Sequence, residues 1–166
     1  MLDQALARFL SSYDRRLTNH TRPYPGIPEL LESLHSRGVH LALLTNKPLQ
    51  QSVRILDAFA FLKYFALRIG GDGPFPRKPA PDGLLNLVGT AMVTVEETLM
   101  VGDSAVDLQT AQHAGVRMCF AAYGFGFADV PKDSLSGAEA IARHPADIAE
   151  LIFNTAQPAV DAGHRL

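Results

Sequence analysis

Thiol chemistry is almost absent from this sequence: 166 residues contain one cysteine, Cys119. That count excludes an internal disulfide and any multi-cysteine zinc site. Lying in the apolar run from Val116 to Ala122, Cys119 reads as a small core side chain and not as a nucleophile. Long hydrophobic runs are missing too, since no apolar stretch approaches the roughly 18 residues that span a bilayer. The opening residues, MLDQALARFLSSYDRR, carry an acid near the start and no small-residue cleavage pattern, so no signal peptide is expected and a cytoplasmic location is. Neither sign of charge dominates, with 15 Lys and Arg against 17 Asp and Glu and a formal net charge of −2. That balance gives no reason to expect nucleic acid or an acidic membrane as partner. The histidines at 20, 35, 40, 113, 144 and 164 show no ligand spacing, and His113 reads as a surface residue. Internal repeats and low-complexity tracts are likewise absent.

What is present is a regular alternation of patterns. Leu2, Leu6, Phe9, Leu10, Tyr13 and Leu17 fall on one helical stripe, closed by Pro23 and Pro25. A second helix from about Pro28 to Gly38 carries Leu30, Leu31 and Leu34 inward. The run VHLALL, residues 39–44, predicts a strand buried on both faces. A helix follows over about 48–59, with Leu49, Val53, Leu56 and Ala60 on one face, and then a strand over 65–70. A loop dense in glycine and proline, residues 70–83, leads to a helix centred on Leu84, Leu85 and Val88. Residues 98–102 predict a third strand, 104–115 a short helix closed by Gly115, and 116–122 a fourth strand. A short edge strand is expected at 138–141, a last helix at about 145–153, and a frayed tail at 156–166.

Strands alternating with helices predict an α/β fold, a Rossmann-like parallel sheet with helices on both faces. Ligands of such sheets bind beyond the carboxyl ends of the strands, and three clusters lie there. Thr45 and Asn46 end the first predicted strand. A hydroxyl followed by a backbone N–H suits a phosphate oxygen, while taken alone the pair reads first as a helix cap ahead of Pro48. Lys78 sits among Pro76, Pro79 and Pro81, which restrict its loop and aim its ammonium. It reads either as a fixed counter-charge for phosphate or as a solvated loop lysine. In VGDSAVD, Asp103 projects at a strand end and Asp107 follows one helical turn later. Paired hard oxygens suit Mg²⁺, while Asp103 or Ser104 could instead cap the helix with Asp107 solvated. Asp72, in GGDG, reads as a turn residue, and the YGFG of residues 123–126 reads first as a plain loop and second as one whose glycines would let backbone approach a ligand.

The order of Thr45, Lys78 and Asp103/Asp107 resembles the second, third and fourth motifs of the haloacid dehalogenase superfamily. The stretches YPGIPELLESLHSRGVHLALLTNKP, IGGDGPFPRKPAPDGLL and ETLMVGDSAVDLQTAQHAG are similar to phosphoglycolate phosphatases, over residues 24–124. The resemblance implies a Mg²⁺-dependent phosphomonoesterase acting on a small phosphorylated metabolite through an aspartyl-phosphate. It implies that Thr45 and the Asn46 N–H bind the phosphoryl group and that Lys78 neutralises charge. Asp103 would then ligate Mg²⁺, with Asp107 holding a metal-bound water or orienting Lys78.

The family's first motif, Asp-x-Asp-Gly-Thr, supplies the nucleophile and the general acid/base from the end of a mid-sheet strand. No Asp-x-Asp occurs in these 166 residues, and Asp3 and Asp14, the only aspartates before Thr45, fall in the expected first helix with no apolar strand before them. The resemblance therefore implies that residues 1–22 are the remnant of a helical cap and 23–155 a core without its first strand. The strands at 39–44 and 98–102 must then pair directly, leave a gap or accept a strand from another chain, and self-association through the incomplete sheet is expected. Two functions follow from this. One is a phosphatase of which this chain is an inactive part. The other is a non-catalytic phosphate-binding or interaction module.

Overall fold

The protein is described by a computed structural model covering residues 21–155. The first helical stripe, Leu2 to Leu17, and the tail over 156–166 lie outside the described residues. Gly26, at φ +89°, turns the chain into α1 (Ile27–Ser36), with a proline in its first turn where a missing N–H costs nothing. Gly38, at φ +77°, reverses it into β1 (Leu41–Leu44). There follow α2 (Leu49–Ala58), β2 (Phe65–Ile69), α3 (Asp82–Ala91), β3 (Leu99–Gly102) and α4 (Ala105–Ala114). The order closes with β4 (Arg117–Ala121), β5 (Ala140–Ala142) and α5 (Pro145–Thr155). This is the expected α/β alternation, and no described helix is long and apolar enough to cross a membrane.

Every strand pairing is parallel, but the described strands form two sheets and not one. β1 pairs with β2, from Leu41 opposite Phe65 to Leu44 opposite Ile69, with an irregularity after Leu41. β3 pairs with β4, from Leu99 opposite Arg117 to Gly102 opposite Phe120, and β4 with β5, from Cys119 opposite Ala140. Among the described residues β1 and β3 do not pair with each other, so the strand order is β2-β1 and, separately, β3-β4-β5. Of the three arrangements the sequence leaves open for these strands, direct pairing is the one that does not occur.

Helices on opposite faces hold the two sheets in one body. On one face Leu30 and Leu34 of α1 join Cys119, Ala142 and Ile148, and Leu41 of β1 and Leu99 of β3 both pack against that cluster. On the other, Leu84 and Val88 of α3 meet Met100, Met118 and Phe120 with Leu108 and Ala111 of α4, and Leu44 of β1 packs there too. Cys119, 1% exposed, is the core residue its apolar setting predicts.

The helix centred on Leu84, Leu85 and Val88 forms as expected, with Leu84, Leu87 and Val88 on its buried side and Leu85 42% exposed. Two local expectations need correction. In α2 the only fully buried residue is Ser52, whose hydroxyl donates to the Pro48 carbonyl, while Ala60 is exposed at φ +57° beyond the helix end. A helix beside a two-stranded sheet has little apolar surface to cover. The edge strand begins two residues later than its sequence suggests, since the Glu139 carboxylate is engaged by Ser136 and Gly137 in a tight turn.

Replacing Phe120, which is fully buried, with alanine is expected to cost about 3–5 kcal/mol of unfolding free energy. Leu85→Ala should cost under about 1 kcal/mol. Urea denaturation of the two variants, followed by far-ultraviolet circular dichroism, measures the difference.

Candidate functional site

The turn from β3 into α4 is built by its own polar side chains. Ser104 is the helix N-cap, accepting from the Asp107 N–H at 3.3 Å, while Asp107 Oδ2 receives the Ser104 N–H at 3.2 Å, a reciprocal capping box. The same oxygen takes the Ser104 hydroxyl at 2.7 Å and the Asp103 N–H at 3.2 Å. A side chain on Gly102 would collide with the Asp107 carboxylate, so glycine is required there. Ser104 thus caps the helix as one reading of the sequence allows. Asp107 is not solvated as that reading would have it: it is 6% exposed.

The other oxygen of Asp107 faces the loop after β2. Lys78 Nζ lies 2.6 Å from Asp107 Oδ1, and both side chains are nearly covered, at 13% and 8% exposed. Lys78 is therefore no solvated loop lysine. Burial pushes the Asp107 carboxyl pKa up. The hydrogen bonds from Lys78 and Ser104, the lysine charge and the Asp103 N–H outweigh that and hold it below the ordinary carboxylate value.

Asn46 fixes where that lysine starts. Its side-chain amide donates to the Lys78 carbonyl and its oxygen accepts the Lys78 N–H, both at 2.9 Å. Arg77 reaches back to the Gly71 carbonyl at 2.7 Å, and His113 Nδ1 lies 2.9 Å from the Pro79 carbonyl. The peptide between Lys78 and Pro79 is cis. Thr45, just past β1, accepts the Lys47 N–H on its hydroxyl oxygen at 3.1 Å and leaves its own proton to donate. Neither Thr45 nor Asn46 caps α2. That helix follows Pro48, and the cap comes from Asp72, whose Oδ1 receives the Leu49 N–H at 2.8 Å. Asp72 is therefore more than a turn residue.

Asp103 is cradled by the loop after β4. The Gly126 N–H donates to Asp103 Oδ2 at 3.1 Å, and no hydrogen bond from a described residue reaches Oδ1. A side chain at Gly124 would strike the Asp103 carboxylate, and one at Gly126 would strike its carbonyl. These glycines do let backbone approach, but what they approach is Asp103. The rim above them is aromatic, with Tyr24 and Tyr123 edge to face at 5.2 Å and Phe125 6.0 Å from Tyr24. The sequence offers this loop as a place where backbone could approach a ligand, but nothing local to it announces a contact with Asp103.

Among the described residues no three His, Cys, Asp or Glu side chains group as a cation cage. The donor set nevertheless fits Mg²⁺, which usually binds through one or two carboxylates and keeps several waters. Asp103 has an oxygen to offer, whereas both Asp107 oxygens are already engaged by Lys78 and Ser104.

Because the Asp107 carboxyl titrates lower folded than unfolded, its stabilising contribution is complete above the unfolded pKa of about 3.9. It is lost as pH falls through the folded value. Lys78→Met, which leaves Asp107 without its ammonium, is expected to cost about 3 kcal/mol near neutral pH. Adding Asp107→Asn should then cost less than the sum of the single changes. Urea midpoints of the single and double variants, at pH 7 and at pH 3, check both statements.

A model of the haloacid dehalogenase-like hydrolases matches residues 1–121. The phosphoglycolate phosphatase of Cereibacter sphaeroides is 42% identical over 123 residues, which are 74% of this chain and 56% of that protein. That of Pseudomonas putida KT2440 is 39% identical over 127 residues, 75% of this chain and 46% of that protein. The chain thus spans about half the length of the curated relatives it matches. The crystal structure of a predicted phosphoglycolate phosphatase from Haemophilus somnus 129pt superimposes with a TM-score of 0.80 at 32% identity, over 87% of this chain and 64% of that one. At 23% identity, the core domain of a Streptococcus pneumoniae protein shares the fold with a TM-score of 0.64, over 79% of this chain and 87% of that one. The convergence of three strand-end clusters in one parallel α/β body and the match over most of the sequence give one conclusion: the chain belongs to the haloacid dehalogenase-like hydrolases.

Proposed function

We propose that these 166 residues form the phosphate-binding and metal-binding half of a phosphomonoester hydrolase site of the phosphoglycolate phosphatase type. The observation that carries this reading is the meeting of Lys78 and Asp107 at 2.6 Å, with Asn46 holding the Lys78 backbone. It gathers at one end of the fold the residues that follow β1, β2 and β3.

Each residue has a task that its geometry suits. An ammonium has three donors. Lys78 gives one to Asp107 and keeps the others for a phosphoryl oxygen. Thr45 offers its hydroxyl proton to a second oxygen while the Lys47 N–H holds that hydroxyl in place. Asp103 would be the residue to hold Mg²⁺, its carboxylate backed by the Gly126 N–H on Oδ2. Asp107 is a positioning residue that aims Lys78 and does not ligate the metal. When bound, Mg²⁺ supplies positive charge against the phosphate. All these contributions are electrostatic and positional.

None of these residues is poised as a nucleophile or as an acid for the leaving oxygen, and the sequence contains no Asp-x-Asp. Enzymes accelerate phosphate-monoester hydrolysis by up to ~10²¹-fold, and binding groups alone supply a small part of that. The chain by itself is accordingly a phosphate-binding module, and catalysis requires a carboxylate brought to the site.

Purified 166-residue chain should bind inorganic phosphate in a Mg²⁺-dependent manner by calorimetry. Asp103→Ala and Lys78→Met should each weaken that binding at least about tenfold. Turnover of 2-phosphoglycolate should stay at the buffer rate. Turnover abolished by Asp103→Ala would show that the chain holds a complete catalytic set, and phosphate binding unchanged in both variants would overturn the assignment of the site.

A further inference from the structure

We propose that His113 is a positioning residue for Lys78. It pins the Lys78–Pro79 segment to the last turn of α4, and so fixes the direction from which the Lys78 ammonium meets a phosphoryl group. The inference rests on the reading of Lys78 as a phosphate ligand, and it adds a residue that would touch neither phosphate nor metal.

Every polar backbone group from the Lys78 N–H to the Ala80 N–H has a partner. The Asn46 side chain accepts the Lys78 N–H and donates to the Lys78 carbonyl. Pro79 has no N–H, its carbonyl lies 2.9 Å from His113 Nδ1, and the Ala80 N–H donates to the Arg77 carbonyl at 3.0 Å. A carbonyl only accepts, so Nδ1 carries the hydrogen and donates it. Asn46 follows β1 and Arg77 lies in the lysine's own loop, so both belong with the two-stranded sheet. His113, on α4, belongs with the three-stranded one. Asn46 therefore fixes the loop relative to β1, and His113 fixes it relative to the helix that carries Asp107.

Asp107 and His113 lie at opposite ends of α4, about 9 Å apart along its axis. The Lys78 ammonium is held at the first turn, 2.6 Å from Asp107, and the carbonyl of the next residue is held at the last turn. The two attachments bracket the lysine. With the first alone the loop could pivot about the contact between Nζ and Oδ1, because a lysine head sits on a long flexible stem. The donors left for phosphate would then change direction while Asp107 stayed paired. The second attachment removes that pivot, and it does so from a backbone carbonyl, which has no rotamers of its own. Its part in stability is small. His113 and Pro79 are both exposed, so water can take the Pro79 carbonyl when the ring is removed. What is lost is the direction of the ammonium and not buried structure.

The test is calorimetric binding of inorganic phosphate, with Mg²⁺ present, to the full 166-residue chain. His113→Ala should weaken binding about fivefold. His113→Asn, whose amide nitrogen stands the same number of bonds from Cβ as Nδ1, should restore it to within about twofold of the wild type. Helix propensity runs the other way, since alanine is the best helix former and asparagine a poor one. An effect carried by the stability of α4 would therefore rank the two variants in the opposite order, and urea midpoints record that stability. In a Lys78→Met background His113→Ala should make no further difference, because the histidine acts only through the ammonium. Hydrogen exchange at the Lys78 and Ala80 amides should speed up about fivefold in His113→Ala and stay at the wild-type rate in His113→Asn. Three results overturn this inference while leaving the phosphate site standing: binding that survives His113→Ala but is lost in Lys78→Met, equal losses in the alanine and asparagine variants, or a loss of the same size with and without Lys78. Wild-type chain that binds no phosphate removes the reading of Lys78 as a phosphate ligand, and this inference with it.

Discussion

The contact between Lys78 and Asp107 is the constraint on which the candidate site depends. Lys78 is carried by the loop that follows β2, in the two-stranded sheet, and Asp107 by the helix that follows β3, in the three-stranded one. Two nearly buried charges are costly to leave unpaired, so each sheet supplies what the other's loop requires. The lysine cannot relax into solvent without abandoning the carboxylate, and the carboxylate cannot turn away without undoing the cap of α4.

The helices make that contact affordable. α1 on one face and α3 on the other touch both sheets, so their apolar residues bridge a break in the hydrogen-bond ladder. Burial of this kind is non-directional and tolerates the break, whereas backbone pairing does not. The result is a body held together by side-chain packing across its middle and by strand pairing only within each half. Local opening is expected to begin where packing carries the load alone.

Much of this was legible in the sequence, for reasons that are local. The apolar runs at 39–44 and 98–102 and the glycines at 38 and 115 mark strands and helix ends through backbone propensity and periodicity. The candidate site was legible in outline, because Thr45, Lys78 and Asp103 follow strands in a parallel sheet. What escaped was set by contacts distant in sequence. Asp72 looks like a turn aspartate, yet it caps α2 from 23 residues away. The stretch from 123 to 126 looks like a plain loop, yet Gly126 holds Asp103. Asn46, read as a contributor of its backbone N–H to phosphate, uses its side chain to clamp the lysine loop.

The packing of Gly124 and Gly126 on Asp103 has a consequence for how this sequence can vary. Any side chain at 124 would occupy the volume of the Asp103 carboxylate. A drift from glycine there is tolerable only if position 103 first becomes smaller, and a residue at 103 cannot grow while the loop stays where it is. The two positions are thus mutationally interdependent although 20 residues lie between them, and either one, changed alone, closes a path that the pair could take together.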